Sequence, residues 1–194
     1  MGRLTLTQIA RIIKSEATLI VLAIISIGLF TLGIFAIIQR EPEKIQIASG
    51  QVPWQDQILA GKSTSYELES KLGKPIKIQT QDKRSSYFYP SGSQQRFNEI
   101  EIDQNVIQLI KEQVVANEKG NLNDFLVKFG QPEKILYGKH GIAAPAYFWG
   151  EKGIVVFGNP TSGLIVEIWY FKPITLMVFL QKYPEFQLTP KEIP

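Results

Sequence analysis

The stretch from Ala17 to Ile38 constrains this chain more than any other. It reads ATLIVLAIISIGLFTLGIFAII and holds neither a charge nor a proline. About 22 residues at ~1.5 Å rise per residue give a helix of ~33 Å, enough to cross a hydrocarbon core of ~30 Å. The expectation is a transmembrane helix over 17–38. A cleavable signal has an apolar core of only ~7–15 residues with a small-residue site close behind it. Here the apolar run is longer, and Gln39-Arg40-Glu41-Pro42 follows it. The chain has no cysteine, which excludes a lipidated signal. An uncleaved signal anchor is therefore expected. Arg3, Arg11 and Lys14 precede the span against one acid, Glu16. The positive-inside rule then places 1–16 in the cytoplasm and the remainder outside it, a single-pass protein of the plasma (inner) membrane. Leu4, Leu6, Ile9, Ile12 and Ile13 suit either an amphipathic helix in the inner interface or the start of the membrane helix itself. Within the span Ala23, Ser26 and Gly33 share a face with Phe30. Small residues let a second helix approach closely, so these four are candidate partner-binding residues.

Composition narrows the function classes. Beyond the anchor about 150 residues remain, enough for one ordinary domain or two small ones. The net charge is +3, but basic and acidic residues are interspersed and no Lys/Arg run appears. Nucleic acid is not an expected partner. Without cysteine there is neither a disulfide nor a thiol site. The single histidine, His140, sits in GKHG and reads as an exposed loop tip with no nucleophile beside it.

A linker is expected over 39–57, rich in Gln with Pro42, Gly50 and Pro53. Trp54 there suits either a membrane interface or the cap of a domain core. From Ile58 the pattern sharpens. Ser63 or Thr64 suits an N-cap, and Glu67 three residues beyond Thr64 closes a capping box. Tyr66, Leu68 and Leu72 are apolar positions, Gly73 suits a C-cap, and Pro75 prevents continuation. The same phrase returns 57 positions later: NLNDFLVKFGQPEKILYG aligns without gaps with TSYELESKLGKPIKIQTQ. Asp124 matches Glu67, Phe129 matches Leu72, Gly130 matches Gly73 and Pro132 matches Pro75. An internal repeat is expected. Each copy is followed by three extended runs: Ser85–Tyr89, Arg96–Ile102 and Val106–Val115, the last with a spacing that also suits a helix, then Ala146–Trp149, Ile154–Phe157 and Leu164–Phe171. Turn residues separate them, as in antiparallel meanders. Pro173 opens a short C-terminal helix over Ile174–Lys182.

A short helix ending in LGKP or FGQP before a three-strand meander resembles the extracytoplasmic BamE-like (SmpA/OmlA) fold. A tandem copy is similar to the arrangement of the β-lactamase inhibitory protein. The resemblance covers about Ile58 to Phe171. It implies a scaffold-like, protein-binding role outside the cytoplasm. The BamE family carries a lipidated cysteine that this chain lacks.

The expected fold class is therefore α+β. One N-terminal transmembrane helix leads into two tandem units over 58–115 and 116–172, each a helix plus a three-stranded antiparallel sheet. A C-terminal helix and tail over 173–194 completes the chain. The chain has no GxSxG, P-loop or HExxH motif, and GKST at Gly61–Thr64 has Asp56 where a P-loop needs glycine. Glu99, Glu101 and Asp103 alternate on one strand, a pattern of either a cation site or a solvated face. Tyr147 and Trp149 share one face of a strand, as do Trp169 and Phe171. These four aromatics are further partner-binding candidates, to be covered by the chain itself or by another protein. No catalytic residue, cofactor or metal is expected, and the chain reads as no enzyme. It reads as a membrane-anchored interaction protein, with the lipid bilayer and other membrane protein subunits as partners. The alternative is a ligand-binding module holding a lipid or peptide between the repeats.

Overall fold

Two short helices start and stop by the same device. Helix α1 (Ser65–Leu72) begins at Thr64, whose hydroxyl accepts from the Glu67 N–H while the Glu67 carboxylate accepts from the Thr64 N–H. Helix α2 (Leu122–Phe129) begins with the same exchange between Asn121 and Asp124. Both are complete capping boxes, and each satisfies two N–H groups that a helix start leaves orphaned. The helices close on Gly73 (φ 78°, ψ −171°) and Gly130 (φ 77°, ψ −167°). Positive φ with ψ near 180° is open almost only to glycine, so both stops demand that residue.

The structure is a computed structural model that describes residues 50–115 and 118–190. These lie within the unit Ile47–Pro194, and the unit Met1–Gln46 lies outside the described residues. After α1 come β1 (Lys77–Gln81), β2 (Arg84–Pro90), β3 (Phe97–Asp103) and β4 (Val106–Gln113). After α2 come β5 (Lys134–Leu136), β6 (Ala146–Trp149), β7 (Ile154–Gly158) and β8 (Ile165–Phe171). Helix α3 (Leu176–Lys182) follows. Among the described residues these strands form one eight-stranded sheet in the order β1-β2-β3-β4-β8-β7-β6-β5, antiparallel throughout.

This corrects the expected fold class. There are not two separate helix-plus-three-strand units. Each of α1 and α2 is followed by four strands, and the last of each set, β4 and β8, pair directly. Their register runs from Leu109 opposite Phe171 to Gln113 opposite Glu167. The physical reason is that both strands are apolar on both faces. Ile110 and Tyr170 point to one side, and Leu109, Trp169 and Phe171 to the other. As edges of two small sheets they would expose those side chains and a row of unpaired backbone groups. Joined, they become the centre. The seam between the halves is a hydrogen-bonded ladder and not a cleft.

The expected membrane placement is corrected as well. Among the described residues no helix is long and apolar enough to cross a membrane. The span expected over 17–38, the segment 1–16 and the first part of the linker lie outside those residues. The plasma-membrane placement of the chain does not carry over to this structure. The stretch from Gln51 onward packs inside: Trp54 and Ile58 are buried, and Gln51 Nε2 donates to the Ala60 carbonyl at 2.8 Å.

The two faces of the sheet are covered differently. On one face lie α1, α2 and the 51–60 stretch, where Trp54, Ile58, Leu68 and Leu122 pack with Ile100, Ile110, Trp149, Val156 and Ile168. On the other, α3 and the following turn set Phe179, Tyr183 and Phe186 over Phe148, Phe157, Trp169 and Phe171. The apolar part of that layer ends at Leu109 of β4, and beyond it Lys182 lies beside Arg84 and Glu101. Toward β1–β3 the same face carries Gln79, Gln81, Arg84, Ser86, Glu99 and Glu101, none of them buried.

Candidate functional site

Four of the aromatic and small-residue candidates, Ala23, Ser26, Phe30 and Gly33, lie outside the described residues. The other four are all buried. Tyr147 and Trp149 are on the α1/α2 face, stacked 6.5 Å apart. The Trp149 indole N–H donates to the Gly130 carbonyl at 3.1 Å, tying β6 to the end of α2. Burial pushes the Tyr147 phenol up from its ordinary value. Trp169 and Phe171 are on the opposite face, 5.4 Å from Tyr183 and 5.3 Å from Phe179 respectively. The sheet separates the two pairs, and the chain itself covers both. Their chemistry is packing.

Two glutamates are buried in the central strands, one on each face. Glu112 of β4 accepts from the Tyr170 hydroxyl at 2.8 Å and from Gln55 Nε2 at 3.2 Å, and lies 3.0 Å from Lys119 Nζ. Burial, then the Glu112 charge, pushes the Tyr170 phenol well up. Glu167 of β8 has no exposed surface. It meets Lys139 Nζ at 2.6 Å and His140 Nε2 at 2.9 Å, and the Trp169 indole N–H donates to it at 2.7 Å. Burial raises its pKa, but the three partners outweigh burial and hold the carboxyl at about 2. His140 is therefore not the exposed loop tip that GKHG implies. Its side chain is 25% exposed and its ring sits 5.2 Å from Phe157. Both glutamates have their oxygens engaged inside the fold. Each pins a neighbouring segment to the sheet and leaves no free base.

The acidic stripe of β3 does share one face, as its alternation implies. It is neutralised there. Lys111 Nζ lies 3.2 Å from Glu99 and 2.6 Å from Glu101, and Arg84 Nε lies 3.7 Å from Asp103. Burial lowers the Lys111 pKa, but its bonds and charges to Glu101 and Glu99 win and raise it. Lys111 also sits 5.4 Å above the Trp169 ring. Among the described residues no cluster of His, Asp and Glu is placed to hold a metal ion.

What remains is the uncovered half of the sheet. A polar groove over the β1–β2–β3 hairpins is lined by Gln79, Gln81, Arg84, Ser86 and Glu101. Ser86 Oγ donates to Glu99 at 2.9 Å, which fixes one wall. Phe97, 46% exposed, and the half-buried Phe88 supply apolar area on the same face. The only sequence signal for this surface was polar residues alternating in KIQTQ and FNEIEID, which any solvated strand face shares.

No family model matches the chain, and no curated protein matches it. Among solved structures it is similar to a cysteine-rich secretory protein from Staphylococcus aureus subsp. aureus Mu50. There the identity is 12% and the TM-score 0.46, over 72% of this chain and 52% of that one. A DUF4309 family protein from Bacillus subtilis subsp. subtilis str. 168 is 14% identical with a TM-score of 0.43, over 63% of this chain and 88% of that one. An extracellular protein containing an SCP domain from Bacillus anthracis str. Ames is 14% identical with a TM-score of 0.46, over 75% and 55%. The chain spans about half the length of the first of these. The continuous eight-stranded sheet is not the tandem of separate units that the BamE-like resemblance implied, and the resemblance is corrected on that ground.

Proposed function

We propose that the chain is a non-catalytic interaction protein, an accessory subunit whose docking surface for another protein is the β1–β4 half of its sheet. One observation carries this reading. The C-terminal segment covers the second half of the sheet with α3, whose end brings Lys182 beside Arg84 and Glu101, while among the described residues the rest of the same face of the first half is left uncovered. That open face mixes both charge signs, amides and two phenylalanines, the composition of a protein–protein surface with an apolar centre and a polar rim. Support also comes from the charged groups elsewhere. Glu112, Glu167 and the β3 acids all have cationic neighbours or hydrogen-bond donors within the fold, which suits a structural role.

The test is a photo-crosslinking amino acid placed at Ser86 or Phe97, against Val127 on the outer side of α2, in cells that make the full chain. Val127 is 79% exposed and serves as the control surface. The expected result is one discrete adduct of the same protein from positions 86 and 97, absent from 127 and weakened by Arg84→Glu. Equal adducts at all three positions, or none at 86 and 97, would sink the reading.

A further inference from the structure

Strand β1 is the free edge of the sheet, and all five of its residues are exposed. The other end of the sheet is treated differently. There β5 is only three residues long, and the chain just past it exchanges both backbone hydrogen bonds with the C-terminal segment. Tyr137 N–H donates to the Gln187 carbonyl and Gln187 N–H to the Tyr137 carbonyl, both at 2.9 Å. No described residue does this for β1. An edge strand turns alternate N–H and C=O groups outward, a template for another strand unless a charge, a proline or a bulge blunts it. Strand β1 has no proline, and its register with β2 runs unbroken from Lys77 to Gln81. Its one charge, Lys77, is folded over the sheet: the ammonium lies 5.3 Å from the centre of the Phe88 ring.

The geometry points to a second copy of this chain as the occupant of that edge, paired β1 to β1 about a two-fold axis through Gln79. The sequence Lys77-Ile78-Gln79-Thr80-Gln81 is complementary to itself when run antiparallel. Lys77 meets Gln81 of the second copy, Ile78 meets Thr80, and Gln79 meets Gln79. No like charges stand opposite one another. The Ile–Thr pairs are β-branched contacts on one face, and the amide pair can hydrogen-bond on the other. Ile78, 51% exposed, gains cover. The chain already joins two halves this way at β4–β8. A two-fold axis normal to the sheet keeps each face on its own side, so the two uncovered faces run together. The pairing stands whether or not that face takes a protein partner. A five-residue ladder is at the small end for interfaces, so the dimer is expected to dissociate on dilution.

The absence of cysteine makes the test clean. Single cysteines are introduced into the purified full chain at Ile78, Gln79, Thr80 and, as control, Gln181 on α3. Residues directly opposed in an antiparallel pair fall within disulfide reach. The expected result is that mild oxidation links Gln79→Cys into a homodimer as its main product. Ile78→Cys and Thr80→Cys link less, since each faces the other residue, and Gln181→Cys does not link. In parallel, Gln79→Lys sets like charges at the axis and abolishes the concentration-dependent dimer seen by sedimentation, with the melting temperature unchanged. The proposal is overturned if Gln79→Cys links no better than Gln181→Cys. It is equally overturned if association survives Gln79→Lys, which would place it on another surface.

Discussion

Glu167 is a carboxylate with no exposed surface, held by an indole N–H, an ammonium and an imidazole. Its folded pKa of about 2 lies below the ordinary 4.5, so the ionised form is the one the fold favours. The sign follows. The stability this group contributes is fully present above about 4.5 and is lost as pH falls from there through about 2. The shift corresponds to about 3 kcal/mol. Glu167→Gln keeps the shape and removes the charge. At pH 7 it is expected to cost about 3 kcal/mol in urea unfolding, and the gap to the unsubstituted chain is expected to close as pH approaches 2. A gap equal at both pH values would contradict the assignment. The sequence held half of this residue's story. One acid inside the apolar run Leu164–Phe171 demands a partner, because a buried charge alone costs too much. It did not say which, since Lys139 and His140 lie in a glycine-flanked loop far along the chain that looks solvated on its own.

Helix ends are local, and they were legible. Capping boxes, glycine stops and the prolines that follow act within about one turn, so the residues that cause them sit beside the structure they cause. Thr64→Ala removes the acceptor of one N–H and is expected to cost about 1 kcal/mol, read as a lower melting temperature. The strands after each helix were also visible as runs between turn residues, with Gln104 and Asn105 at positive φ forming the two-residue turn between β3 and β4. The edge strands β1 and β5 were not resolved as members of the sheet. A short run such as KIQTQ or KIL becomes a strand only when a neighbour offers a ladder. Helix α3 shows the same dependence on context. Its sequence LMVFLQK is apolar nearly all round, which does not say which side turns inward. The structure turns Phe179, whose ring meets Phe148 at 4.9 Å, Tyr183 at 4.8 Å and Phe171 at 5.3 Å. Phe179→Ala is expected to cost about 3–5 kcal/mol, whereas Met177→Gln, at a position 72% exposed, is expected to cost under about 0.5 kcal/mol. Equal losses for the two would mean that α3 does not cover the sheet by this side.

At the scale of the whole molecule the decisive fact is the β4–β8 seam, and no local pattern encodes it. The repeat in the sequence invites a picture of two small sheets, each with its last strand at an edge. The pairing of Leu109 with Phe171 and of Ile110 with Tyr170 joins segments about 60 residues apart and turns both edges into the centre. Contacts of that separation are chosen by total burial and not by any window of neighbours. Here burial favours the joined sheet, because both clusters of buried side chains draw residues from β4 and from β8. A dynamic consequence separates the two pictures. Local opening is rarest where backbone hydrogen bonds lie beneath packed layers and commonest at free edges. In the continuous sheet, backbone amides of β4 and β8 are expected to be the slowest to exchange with deuterium, and those of β1 the fastest among the strands at dilutions where β1 is unpaired. In two separate sheets β4 and β8 would each carry an open ladder and exchange about as fast as the edge strand β1. Hydrogen exchange read by mass spectrometry on fragments spanning 106–113, 165–171 and 77–81 measures this directly. Fast exchange in both central fragments would dissolve the seam, and with it the argument that one half of the sheet is covered by the chain and the other half is left for partners.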